Sequence, residues 1–147
     1  MNLATAAAAI PTIPGGRIEH YRNSSPRLIR LLGLGDAGGK VARSVAERGL
    51  AHVDVITSTR PAGWKDVAQD RAGARANMIV IVCAEGDEGL FRPEQGKPDM
   101  LVTFVLLTAN RLAAGDQRLA SARGFADLFV TTSDADYVSE LIDNLAS

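Results

Sequence analysis

The stretch Leu28-Ile29-Arg30-Leu31-Leu32-Gly33-Leu34-Gly35-Asp36-Ala37-Gly38-Gly39 decides the fold class of this chain. An apolar run from Leu28 to Leu32 breaks into a Gly-x-Gly-x-x-Gly turn made by Gly33, Gly35 and Gly38. Beyond the turn, Val41, Ala42, Val45 and Ala46 recur at helical spacing, and Gly49 is placed to stop the helix. Val53-Asp54-Val55-Ile56-Thr57 then reads as a returning strand, which completes a βαβ unit. Strand, glycine turn and helix are the parts of a phosphate cradle. Glycine lets the backbone approach a ligand closely, and a helix N-terminus offers unpaired N–H groups and a positive dipole end to an anion. The residues this nominates for nucleotide binding are Gly33, Gly35, Asp36, Ala37, Gly38, Gly39 and Lys40. The plainer alternative is a glycine turn that serves packing alone.

Composition narrows the function classes. At 147 residues the chain is long enough for one domain with a real core. Its 46% hydrophobic and 22% charged residues are those of an ordinary globular protein, and a net charge of −1 gives no general attraction to nucleic acid or anionic membrane. A single cysteine, Cys83, excludes an internal disulfide framework or a cysteine-rich metal site and fits a reducing compartment. No apolar run has membrane-spanning length, and Pro11 and Pro14 interrupt the apolar N-terminus early, so the expected location is cytoplasmic.

Residues 1–26 read as a flexible or loosely packed N-terminal arm rich in Ala, Pro and Gly, with the protein's own surface or a neighbouring subunit of a homo-oligomer as what could hold it. Arg17, Arg22, Arg27 and Arg30 make that region locally basic and read as a solvated arm within reach of a phosphate. The domain proper spans 27–147. After Pro61 the spacing of Trp64, Val67, Ala68 and Ala72 predicts a helix over 62–75. Met78 to Cys83 is a continuous apolar run, as in a central parallel strand covered on both faces. Leu101 to Leu107 and Asp127 to Thr131 are further strands. A helix is expected over 115–123, with Leu119 and Ala122 inward. A last helix starts at Ser133, whose pattern with Asp136 resembles a capping box, and carries the stripe Tyr137, Val138, Leu141, Ile142 and Leu145. The alternation predicts a three-layer αβα Rossmann-like sandwich on a five-stranded parallel sheet of order 3-2-1-4-5. A ligand crevice is then expected above Gly33–Gly39, beside residues 84–89 and 108–111.

Residues Leu28 to Ile56 resemble the opening of FtsZ, in the tubulin-like GTPase superfamily. The similarity lies in Gly33-Leu34-Gly35-Asp36-Ala37-Gly38-Gly39, then Glu47-Arg48-Gly49-Leu50, then Val53-Asp54-Val55-Ile56. Ala76-Asn77-Met78-Ile79-Val80-Ile81 is similar to a later strand of that family. The resemblance implies a GTP- or GDP-binding domain. Its signature phosphate loop of glycines and threonines is replaced here by Ala84-Glu85-Gly86-Asp87-Glu88-Gly89-Leu90, leaving Ala84 and Gly86 as the backbone positions that could still meet a nucleotide. Lys40 stands where the family has Asn. The family's downstream domain, which supplies its hydrolytic loop, has no counterpart. The expectation is therefore a non-catalytic nucleotide-binding or regulatory module. The alternative is a protein-interaction or oligomerisation module that no longer binds nucleotide.

The end of the second strand offers a third reading. Thr57-Ser58-Thr59-Arg60 has hydroxyls and Arg where an NAD-binding fold places Asp or Glu, so Ser58 and Arg60 suit the 2′-phosphate of NADP, in a sensor domain. The simpler reading has Ser58 and Thr59 capping the next helix and Arg60 in solvent. Glu85, Asp87 and Glu88 are weak candidates for Mg²⁺. His20 and His52 share no ligand spacing, Cys83 reads as an inert buried thiol, and Trp64 as a packing residue. No nucleophile–base pattern points to a catalytic residue.

Overall fold

The computed structural model describes residues 28–68, 76–94 and 96–146. Five strands form a single parallel sheet: β1 (Ile29–Leu34), β2 (Val53–Ser58), β3 (Met78–Ala84), β4 (Leu101–Leu107) and β5 (Leu128–Thr132). Their order is β2-β1-β3-β4-β5, which corrects the expected 3-2-1-4-5. The reason is burial. Met78 to Cys83 are all buried, and an apolar strand of that kind needs a neighbour on each side and a helical layer on each face. β3 therefore pairs with both β1 and β4, and the half-buried β2 and β5 take the edges. The chain reverses direction across the sheet between β1 and β3, the position at which folds of this order hold ligands.

Period-two alternation divides the sheet side chains between two layers. On one face Ile29, Leu31, Val80, Val82 and Val105 meet Val41, Ala42 and Val45 of α1 (Gly35–Glu47) and Val138 and Ile142 of α4 (Ala135–Ala146). On the other, Leu32, Leu34, Ile79, Ile81, Val102 and Phe104 meet Trp64 and Val67 of α2 (Trp64–Val67), with Phe91, Phe125 and Phe129 around them. Trp64, Phe91 and Phe125 contact one another edge-on or tilted at centroid distances of 5.0 to 6.0 Å. The short α3 (Gln117–Arg123) stands over this aromatic side. The result is a three-layer Rossmann-like α/β fold.

Gly49 ends α1 as expected: its φ of +65° is the left-handed conformation that glycine adopts freely, and its N–H closes on Ala46 O at 3.1 Å. Several local expectations are corrected. Ala46 is exposed, because the apolar stripe of α1 is narrower than its alanine content implies. Tyr137 is 40% exposed, while Val138 and Ile142 carry the contact of α4. The cap of α4 is Asp134, whose Oδ1 accepts the Asp136 N–H at 2.9 Å, so Ser133 lies one residue too early. Of the helix expected over 62–75, residues 64–67 are helical and 69–75 lie outside the described residues. Neither Ser58 nor Thr59 caps it. Gly63 holds that position, donating its N–H to Asp66 Oδ2 at 2.8 Å.

Arg30 also departs from its expected place. It belongs to β1, is fully buried, and does not join a solvated arm. Its Nε donates to Asp54 Oδ2 at 3.0 Å, on the residue directly across in β2, and its Nη1 donates to the Val67 carbonyl at 2.8 Å. Arg17, Arg22 and Arg27, with the rest of the arm and His20, lie outside the described residues.

Candidate functional site

The nominated residues converge at the C-terminal ends of the strands. Gly33 and Leu34 end β1, Ser58 ends β2 opposite Leu34, and Ala84 ends β3 beside them. α1 starts at Gly35, so Gly35, Asp36, Ala37, Gly38, Gly39 and Lys40 form its first turns at the reversal point. Asp36, Lys40 and Arg60 are exposed, and Ala37 is half-buried. Ser58 and Arg60 form a closed local turn: the Ser58 hydroxyl accepts the Arg60 N–H at 3.1 Å and donates to its carbonyl at 2.9 Å. His52 lies at the opposite end of β2, where its carbonyl accepts the Ile29 N–H.

Why these glycines are glycines is answered by packing. A β-carbon on Gly33 would strike the Gly38 carbonyl and come within 2.7 Å of the Ala42 Cβ. One on Gly38 would strike the Val82 carbonyl and lie 3.2 Å from the Cys83 Cα. The two glycines bring α1 down onto β1 and β3. Gly35 adopts φ +73°, and the Asp87 carboxylate lies where its β-carbon would be. The first turn of α1 has no side-chain cap, and Asp36 adds a negative charge to it. The position a phosphate would take in such a cradle thus faces a carboxylate supplied by the chain itself.

The acidic loop after β3 is likewise committed internally. Glu85 accepts from the Thr108 hydroxyl at 2.8 Å and from Arg118 Nη1 at 2.7 Å. Glu88, in a 3₁₀ turn over Glu88–Leu90, accepts the Gly86 N–H with both oxygens, at 3.0 and 2.8 Å. Arg118 grips Asp116 through Nε at 3.0 Å and Nη2 at 2.8 Å. Asp116 also caps α3 by accepting the Arg118 N–H. Among the described residues no group of three His, Cys, Asp or Glu side chains is arranged to hold a metal ion. No described helix is long and apolar enough to cross a membrane. Arg118 and Asp116 escaped the sequence reading, while Thr108 opens the 108–111 segment expected beside the crevice. The available signal was Asp-x-Arg at the start of a helix, where the acid caps and the arginine folds back on it.

The charges in this network set its acid sensitivity. Hydrogen bonds from Arg118 hold the Asp116 carboxyl down at about 2, and Arg118 followed by Thr108 lowers that of Glu85. A carboxyl depressed in the folded state stabilises it above the unfolded pKa, near 4, and the stability is lost as pH falls through the folded value. The thermal midpoint is therefore expected to fall between about pH 4 and pH 2. Arg118→Gln should blunt that dependence, and an unchanged acid profile in the variant would contradict it.

Cys83 is buried against the loop. Burial first, then the Glu88 and Asp87 charges, push its thiol up to about 12, so it is a poor nucleophile. Beside the crevice, between the 88–93 segment and α3, lies a cavity of about 330 Å³. No family model, curated protein or solved structure matches the chain.

Proposed function

We propose that this chain is a non-catalytic regulatory module acting through protein contacts, on a nucleotide-type fold whose phosphate seat is filled by its own carboxylate. The observation that carries the reading is Asp87 against Gly35 at the N-terminus of α1. An incoming phosphate would meet Asp87 and Asp36 with the acidic loop close by, and Arg118, which is bonded to that loop, is already held by Asp116 and Glu85. Helix–strand packing accounts for Gly33 and Gly38, and positive φ beside Asp87 for Gly35. Self-association or a protein partner, in the cytoplasm, then replaces nucleotide turnover.

A second reading keeps nucleotide binding, to GTP or GDP or to NADP. It draws on the first turn of α1, which lacks a side-chain cap and so leaves N–H groups for an anion. Thermal denaturation with GTP, GDP, ATP, NAD and NADP, each with and without Mg²⁺, separates the two. Binding to the folded state alone raises stability by about 2.7 kcal/mol at a hundredfold excess over Kd. No shift at millimolar ligand is expected. A shift with a guanine nucleotide or with NADP would overturn the first reading and establish the second.

A further inference from the structure

The cavity beside α3 has the size and lining of a small-molecule site, at about 330 Å³ with an aromatic wall and a polar one. Phe104 and Phe125 meet edge-on at 5.6 Å and Phe91 and Phe125 are tilted at 5.1 Å, so the rings form a rigid apolar wall. The polar side is formed by Glu88, Gln117, Arg118 and Ser121. Its charge balance is uneven. Arg118 is held by Asp116 and by Glu85, at 2.8 and 2.7 Å, and stands 3.9 Å from Glu88. One guanidinium thus faces three carboxylates. Glu88 accepts one backbone N–H, from Gly86, with both oxygens, and a carboxylate so held keeps lone pairs for a further donor.

We infer that this cavity binds a small aromatic or alicyclic organic cation, its ring against Phe91, Phe104 and Phe125 and its ammonium or amidinium group donating to Glu88. The aromatic wall and the Glu88 carboxylate favour the cation together, while an anion of the same shape meets Glu88 and finds Arg118 already taken by Asp116 and Glu85. This inference stands apart from the nucleotide question, because the cavity lies on the aromatic face and not above the glycine turn.

The test compares tryptamine with indole-3-acetate, which share a ring and differ in the sign of charge, by ¹H–¹⁵N NMR titration of the full chain. Tryptamine should shift the backbone signals of Gly89, Phe91, Arg118 and Ser121 and bind at least about tenfold more tightly than indole-3-acetate, the effect of one charge-assisted hydrogen bond. Glu88→Gln should remove most of that preference. Ser121→Trp, at the exposed mouth, should block both compounds while leaving the thermal midpoint near its original value. Equal affinity for both probes, shifts confined to other residues, or a preference unchanged in Glu88→Gln would overturn the assignment.

Discussion

A Gly38→Ala variant is expected to lose about 2–4 kcal/mol of stability in urea denaturation, with no ligand present at all. The new methyl group would fall on the carbonyl oxygen of Val82 and within 3.2 Å of the Cys83 Cα. Both belong to the backbone of β3, which is pinned by β1 on one side and β4 on the other. The helix must therefore lift, and Val41, Ala42 and Val45 lose part of their contact with the sheet. Gly39→Ala is the internal control. Its β-carbon would meet only the mobile end of Arg43, at 3.2 Å, and alanine improves helix propensity by up to about 1 kcal/mol. If Gly38→Ala proved as stable as Gly39→Ala, packing would not explain the glycine, and a ligand would have to.

The second large effect is expected at Arg30. Arg30→Ala removes a fully buried side chain, leaves a cavity under α2, strips the Val67 carbonyl of a donor and takes the guanidinium from Asp54. The expected loss is about 3–5 kcal/mol. Asp54→Asn should cost clearly less, because the Asp54 side chain is 30% exposed and solvent screens its half of the pair. Arg30→Met, which keeps the apolar stem, should recover part of the loss. Equilibrium unfolding of the three variants tests the ranking, and Arg30→Ala no worse than Asp54→Asn would refute it.

The layered α/β class and all five strands were legible because apolar runs alternate with helical stripes, and such patterns leave few alternatives. The expected strand order failed at Met78 to Cys83, which pairs with both β1 and β4. A run apolar at every position requires the middle of a sheet, and the order 3-2-1-4-5 would have put it at an edge. Arg30 misled because charge next to a basic arm looks solvated, while its partner Asp54 lies on another strand. A cross-strand pair has no signature along the chain. At the site, Gly33 to Lys40 converge with Ala84 to Glu88 as the pattern implied. The contacts that decide their chemistry, Asp87 on Gly35 and Arg118 on Glu85, join residues far apart in sequence. Spacing cannot reveal them.

The central position of β3 also has a consequence for how the chain is assembled. β1 cannot find its inner neighbour until α1, β2 and the 59–77 stretch have been made, so the middle of the sheet closes late, across the largest sequence separation between any two paired strands. Once that closure occurs, β4 and β5 join in chain order on the same flank, and each arrival turns an exposed margin into interior. During synthesis the apolar ribbon of β1 must wait, paired at most on one side, for the strand that shields it. That interval is the point in the life of this protein when misassociation is easiest.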